Sequence, residues 1–438
     1  MAELAVDSPA RLDWIAPEDA LGALQAEPYT LLLHGGGAGA RGRYSYLLAF
    51  PEFTVEGRGR EAFEAARARY RPARLDGSGF AAGYAGLFAY DLACAFEAVP
   101  ETPDTLTAWP HVALGWYAAA AVFDHDARRI EIRGEGEAAS RLREALGRPQ
   151  RPALQGPAGP LAPVWSEARY LEAARRAIEY VRAGDVFQVN LSHPFRGAAA
   201  GPAAPLAVFR RLVKKSPAAF SAFFRLDADR VILTNSPERF VQSGPGGQVQ
   251  TRPIKGTRAR GASLEEDAAL AAELLASDKD RAENLMIVDL MRNDLSRVCV
   301  PGSVRVPELL TVEGYSNVHH LVSTVEGRLE AGRGAFDLLA ASFPPGSITG
   351  APKPRAMEII AELEGEARGP YCGALGWIDA SGRADLNVMI RTMGFVREGG
   401  RWQVEARSGG AITIESDPHG ELAETHAKVA ALKRAVEG

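Results

Sequence analysis

Cysteine, lysine and long apolar runs are scarce in this chain of 438 residues. The three cysteines, Cys94, Cys299 and Cys372, form no CxxC pair. That argues against a disulfide framework and a thiolate zinc site. No uninterrupted apolar run reaches the roughly 18 residues of a membrane-spanning helix, so no membrane segment is expected. The opening MAELAVDSPARLDW carries early acids and no apolar core, unlike a secretory signal. A soluble cytoplasmic protein is the expectation. Positive charge is not in excess either. The formal net charge is −5, which excludes the whole-chain footprint of a nucleic-acid binder. Lysine and arginine total 50, of which only seven are lysine: Lys214, Lys215, Lys255, Lys279, Lys353, Lys428 and Lys433. A coding bias accounts for the 43 arginines. A lysine that survives such a bias gains weight as a compact amine that can lose its proton.

What is present suggests an α+β protein. Strand-like stretches include Tyr29–Leu33, Phe187–Leu191, Ala218–Leu226, Val231–Thr234, Gly373–Asp379, Val388–Phe395 and Trp402–Ala406. His111–Phe123 and Arg129–Arg133 read as one hairpin. Helical stretches include Glu167–Ala183, capped by Ser166 and stopped by Gly184. Others are Ser263–Ala276, Asp278–Met291, Phe336–Ser342, Pro352–Leu363 and Gly420–Val436. Regular βαβ alternation is missing, so antiparallel sheets with surrounding helices are expected. Gly147–Pro163 is rich in proline and glycine and reads as a linker. It divides an N-terminal region, residues 1–146, from a C-terminal region, residues 164–438. No internal repeat is evident.

Several constellations could carry chemistry. On the helix from Asp278, residues Asp280, Glu283 and Ile287 share a face, and little of that helix reads as solvent-facing. A carboxylate there must be paired or bind a cation. Glu421, Glu424 and Lys428 share a face of the last helix, where the plain alternative is an exposed Glu424–Lys428 pair. Two acidic faces could offer oxygens to Mg²⁺, which takes one or two carboxylates and completes its shell with water and substrate. In Pro253–Gly261, Lys255 follows Ile254 in a strand-like stretch, Gly256 allows close approach and Thr257 offers a hydroxyl. A buried amine near other cations becomes a nucleophile; a surface lysine beside a turn is the plain alternative. The loop Phe343–Pro352 runs into a helix and suits an anion, without being a P-loop. Ser408–Ile412 lies between a strand and the last helix and could cradle a carboxylate with backbone N–H groups.

Together these segments resemble the chorismate-utilising enzymes. In order they read GDVFQVNLS, SPERF, PIKGTRARG, AENLMIVDLMRNDLSRV, NVHHLVSTVEG, FPPGSITGAPKPRAMEII, YCGALGWID, IRTM, SGGAI and ELAETHAK, spanning roughly residues 165–433. RYSYLLAFP and GYAGLFAYDLACAFE look like the N-terminal region of the anthranilate and aminodeoxychorismate synthase large components.

The resemblance implies a two-lobed antiparallel β-sheet sandwich with surrounding helices. It also implies a Mg²⁺-dependent enzyme acting on chorismate. Water-adding relatives carry a lysine where this chain has Gln188, which points to ammonia as nucleophile. The lysine of PIKGT is similar to that of the branch aminating C4, whereas anthranilate-forming relatives typically read PIAGT. Lys255 would attack ring C2, with Thr257 and His320 at the ring and His320 assisting the leaving hydroxyl. Glu283 and Glu424 would coordinate Mg²⁺, with Glu421 as a further acid. Asp280 would be a supporting polar group. Arg391 and the backbone of Gly409, Gly410 and Ala411 would hold the enolpyruvyl carboxylate, with Gly256 and Lys428 nearby. Ala411 stands where relatives often have glycine. No glutaminase motif is present, so a separate glutamine amidotransferase subunit would supply ammonia in a heterodimer. The alternatives are anthranilate formation and a non-catalytic chorismate-binding relative.

Overall fold

The run His111–Phe123 has no period-two alternation to tell one face from the other. In the computed structural model both its halves are buried throughout, and they belong to different sheets. Val112–Tyr117 pairs with Phe53–Gly57 and Gly83–Phe88, while Ala119–Asp124 pairs with Tyr44–Leu48 and Arg129–Gly134. The single hairpin expected from sequence is therefore a crossing at Ala118 followed by a hairpin. The structure describes residues 12–36, 42–75, 77, 79–147, 159–315 and 318–438. Among these, no helix is long and apolar enough to cross a membrane.

Among the described residues two antiparallel sheets form the frame, one of eleven strands and one of ten. The fold is α+β, as expected. Both sheets take strands from before and after Gly147–Pro163. Thr30–His34 pairs with Phe220–Arg225 in the first sheet, and Gly83–Phe88 pairs with Ala374–Asp379 in the second. Residues 148–158 of the expected linker lie outside the described residues, and Ala162–Pro163 is an edge strand against Arg196 and Phe195.

Apolar side chains sort into layers. Leu31, Leu48, Phe224 and Ile232 of the first sheet meet Ala85, Leu87, Leu375 and Trp377 of the second in a shared core. The other face of the first sheet packs on Leu142, Phe209 and Leu432 of three helices. The other face of the second packs on Phe63, Ile287, Met291 and Leu339. Burying sheet faces against each other and against helices is the standard way to hide both.

The helix Asp278–Ser296 corrects one expectation. It is amphipathic: Asn284, Ile287, Val288, Met291, Asp294 and Leu295 are buried, while Leu285, Asp289 and Arg292 are exposed. Ser277 caps it by accepting from Asp280 N.

Candidate active site

Two of the other crossings between the sheets each carry a candidate functional side chain. Glu238 lies between Arg230–Ser236 of the first sheet and Arg239–Ser243 of the second. Arg391 lies between Ala384–Val388 of the second sheet and Thr392–Glu398 of the first. Arg391 adopts φ 52, and its carbonyl accepts from Asn235 N at 3.0 Å.

Lys255 lies on Ile254–Ala259, at the edge of the second sheet. Its Nζ donates to Ser347 O at 3.2 Å. Burial pushes the amine below its ordinary value; Glu283 pulls it back up and Lys428 pushes it down. Glu238 is 4% exposed, and burial lifts its carboxyl to about 7 against the opposing pull of Ser347 and Lys255. The sequence reading placed SPERF as a motif and gave Glu238 no role.

Gly256 has φ +79, and a Cβ there would meet Leu274 Cδ1 at 2.8 Å and Asp280 Cγ at 2.9 Å. The glycine lets the Lys255 strand lie directly on two helices. Gly256→Ala is expected to destabilise by about 1–3 kcal/mol, through overpacking and the positive φ. A denaturation midpoint equal to that of the unaltered protein would refute this. Asp280 accepts from Arg258 Nη2 at 3.2 Å, so it is a paired acid. Thr257 Oγ1 lies 2.9 Å from His320 Nδ1 across the Ile254–Ala259 and Val318–Arg328 ladder. Burial, reinforced by Arg391, holds His320 down to about 4. It is a neutral ring at physiological pH.

The opposite wall comes from the first sheet. Arg401–Ile412 is one long strand, so Ser408–Ile412 is its end and not a loop. It pairs with Gln188–Ala199 along its whole length but with Thr392–Glu398 only as far as Ala406. One edge of Gly409, Gly410 and Ala411 is thus left out of that second ladder. Lys428 Nζ donates to Gly409 O at 3.1 Å and pairs with Glu424 at 2.5 Å. A Cβ on Gly410 would lie 3.1 Å from Glu421 Oε2 and 3.7 Å from Glu424 Oε1. Lys279 lies 4.0 Å from Glu283 and 3.7 Å from Glu421. Gln188 opens the neighbouring strand, buried, with its Oε1 unpartnered among the described residues.

The acids are crowded and incompletely neutralised. Burial raises Glu283, with Lys255 and Lys279 opposing. Burial also lifts Glu424, but Lys428 outweighs it and the carboxyl ends below its ordinary value. Among the described residues no three His, Cys, Asp or Glu side chains form a metal cage by themselves. A hard cation that takes one or two carboxylates plus water and substrate oxygens needs none. Glu283, Glu421 and Glu424, with the bare Gly410 beside two of them, fit such an ion.

Carbonyls of the loop Phe343–Pro352 are engaged by the protein itself. Gly350 pairs with Val189, Thr349 O accepts from Asn190 N, and Ser347 O takes Lys255. Lys353 is buried, donating to Asp294 and to Ser342 O, each at 2.7 Å. Arg391 makes no ion pair among the described residues, and burial alone lowers its guanidinium. It is suited to a carboxylate brought by a ligand.

The model of the chorismate binding enzyme family matches residues 39–434. The aminodeoxychorismate synthase component 1 of Klebsiella aerogenes is 40% identical over 435 residues, 93% of each chain. That of Escherichia coli K12 is 37% identical over 438 residues, 94% of each. The anthranilate synthase component 1 of Thermus thermophilus is 40% identical over 424 residues, 91% of this chain and 88% of that one. Among solved structures, anthranilate synthase component I from Streptococcus pneumoniae superposes with a TM-score of 0.79 at 30% identity. That match covers 90% of this chain and 92% of that one. With a half-buried lysine, an arginine that makes no ion pair among the described residues and clustered carboxylates, and with this match along most of its length, the chain belongs to the chorismate binding enzymes.

Proposed function

We propose that this enzyme aminates chorismate at C4, giving 4-amino-4-deoxychorismate with the enolpyruvyl group retained. The observation that carries the reading is Lys255, an amine pushed down by burial and set between Glu238 and the Ser347 carbonyl. Neutral Lys255 would attack ring C2 while the C4 hydroxyl departs as water. Ammonia would then bond to C4 and expel the lysine. Two displacements replace one difficult one. Glu238 is the acid best suited to protonate the leaving hydroxyl, because its value near 7 keeps a proton available. Neutral His320, beside Thr257, would hold the ring by hydrogen bonding. Arg391 would take the enolpyruvyl carboxylate, with the open edge of Gly409, Gly410 and Ala411 beside it. Mg²⁺ held by Glu283 and Glu424, with Glu421 adjacent, would neutralise substrate charge and orient the ring. Relatives named component 1 support a partner component. A glutamine amidotransferase subunit would supply ammonia.

Anthranilate formation is the second reading, favoured by the Thermus relative's comparable identity. Incubation with chorismate, Mg²⁺ and an ammonium salt at raised pH separates the two. A product with the mass of 4-amino-4-deoxychorismate is expected. Anthranilate with pyruvate would overturn the proposal.

Glu238→Gln should lower kcat by roughly 10²–10⁴-fold. The acid form of Glu238 is present below about pH 7 and lost as pH rises through it. The rate of the unaltered enzyme should therefore fall on that side, and the variant should lose this limb. A normal rate with the limb intact would remove Glu238 from the chemistry.

A further inference from the structure

Lined by none of the candidate site residues named above is a cavity of about 500 Å³. Its walls come from the turn Tyr90–Ala95, the segment 99–104, His111 and one face of the helix Lys353–Glu364. Arg368 separates it from the cleft, donating to Ile348 O and Asn190 O at 3.0 and 2.7 Å. Val99, Pro100, Pro103, Met357 and Ile360 make much of the lining apolar.

Most charges around the cavity are already engaged with one another. Arg58 donates to both oxygens of Asp104, at 2.9 and 2.8 Å. Asp91 accepts from the backbone of Arg368 and Gly369. Arg368 is held by Glu364, and Glu366 by Arg407. An entering anion would find no uncommitted cation in this wall.

Two neutral polar atoms are left over. The Tyr90 hydroxyl and His111 Nε2 are buried and have no partner among the described residues. Tyr90 is 6% exposed and His111 7%. His111 Nδ1 accepts from Gly59 N at 2.9 Å, which puts the ring proton of the neutral imidazole on Nε2. Burial holds His111 down to about 4, Arg58 adding to the effect, so the ring is neutral. Both leftover groups can donate. Buried donors without acceptors are costly, and pockets that combine apolar walls with a few such groups are binding sites by design.

We propose that this cavity binds a small uncharged ring compound whose oxygen acceptors take the hydrogens of Tyr90 and His111. Its ring would pack against Val99, Met357 and Ile360. This site is independent of the reading given for the cleft.

4-Methoxyacetophenone is a fitting probe, since it is uncharged and has only acceptors at its ends. 4-Methoxybenzoate is its charged counterpart. Calorimetry on the full chain, with imidazole NMR signals followed in parallel, reads both. The ketone is expected to bind with a Kd in the millimolar range or tighter, shifting the His111 signals. The benzoate should bind at least roughly tenfold more weakly. Tyr90→Phe removes an oxygen that has no partner among the described residues, and should weaken the ketone roughly tenfold without disturbing the fold. Val99→Trp should fill the cavity and abolish binding. The proposal fails if the ketone does not bind at about 10 mM, a few times that range. Equal binding to Tyr90→Phe, or tighter binding of the benzoate, would also overturn it.

Discussion

Lys255→Ala is expected to cut C4 amination roughly 10³-fold or more while chorismate still binds. The side chain reaches only the Ser347 carbonyl by hydrogen bond, so its loss breaks no buried ion pair. In the proposed reading carboxylate recognition rests on Arg391 and the open strand edge, both distant in sequence from the lysine. The change should therefore fall on kcat and leave binding of chorismate, read by calorimetry, within a few-fold. Lys255→Arg is the sharper control. An arginine fills similar space and keeps the charge but cannot give up its proton. It should be as inactive as the alanine variant. Substantial amination by either would exclude a covalent lysine step.

The second large effect concerns stability. Glu364 is fully buried and accepts from Arg368 at 2.6 and 3.0 Å, from Arg407 at 3.0 Å and from Ser192. Glu364→Ala would leave two buried guanidiniums facing one another, at a cost of about 3–5 kcal/mol. Urea denaturation would measure it, and a loss under about 1 kcal/mol would mean that the arginines find other partners. The sign of the pH dependence follows from the same contacts. Burial raises the carboxyl, but Arg368 and Arg407 outweigh it and the value ends below the ordinary 4.5. This stabilisation is fully present above that ordinary value. It is lost as pH falls through the lower, folded-state value.

Much of the cleft was legible because chemistry fixes residue types at short spacing. Lys255, Gly256 and Thr257 are consecutive, and Glu421, Glu424 and Lys428 share one helical face. Other features needed the fold. The proton affinity of Glu238 is set by burial at a sheet crossing and by Ser347 and Lys255, which no local pattern connects. Arg391 was readable as a residue, but its left-handed backbone was not. The alanine-rich run at Ala118 misled because residues buried on both faces carry no alternation. Ser408–Gly410 looked like a loop because small residues mark turns more often than strand interiors. Here glycine is required by contact: a Cβ on Gly409 would lie 2.3 Å from Leu191 O.

The interleaving of early and late strands has a consequence for how the chain is made. Gly83–Phe88 pairs early with Val112–Tyr117 on one edge, but finds its second partner only at Ala374–Asp379, about 290 residues later. At roughly 5–20 residues per second, a ribosome leaves that strand waiting about 15–60 s beside an absent neighbour. Thr30–His34 likewise waits for Phe220–Arg225. Neither sheet can close until most of the message has been read, so folding is dominated by non-local pairing and should be slow. Nascent chains halted before residue 374 should thus expose apolar strand edges and depend on holding factors to stay in solution.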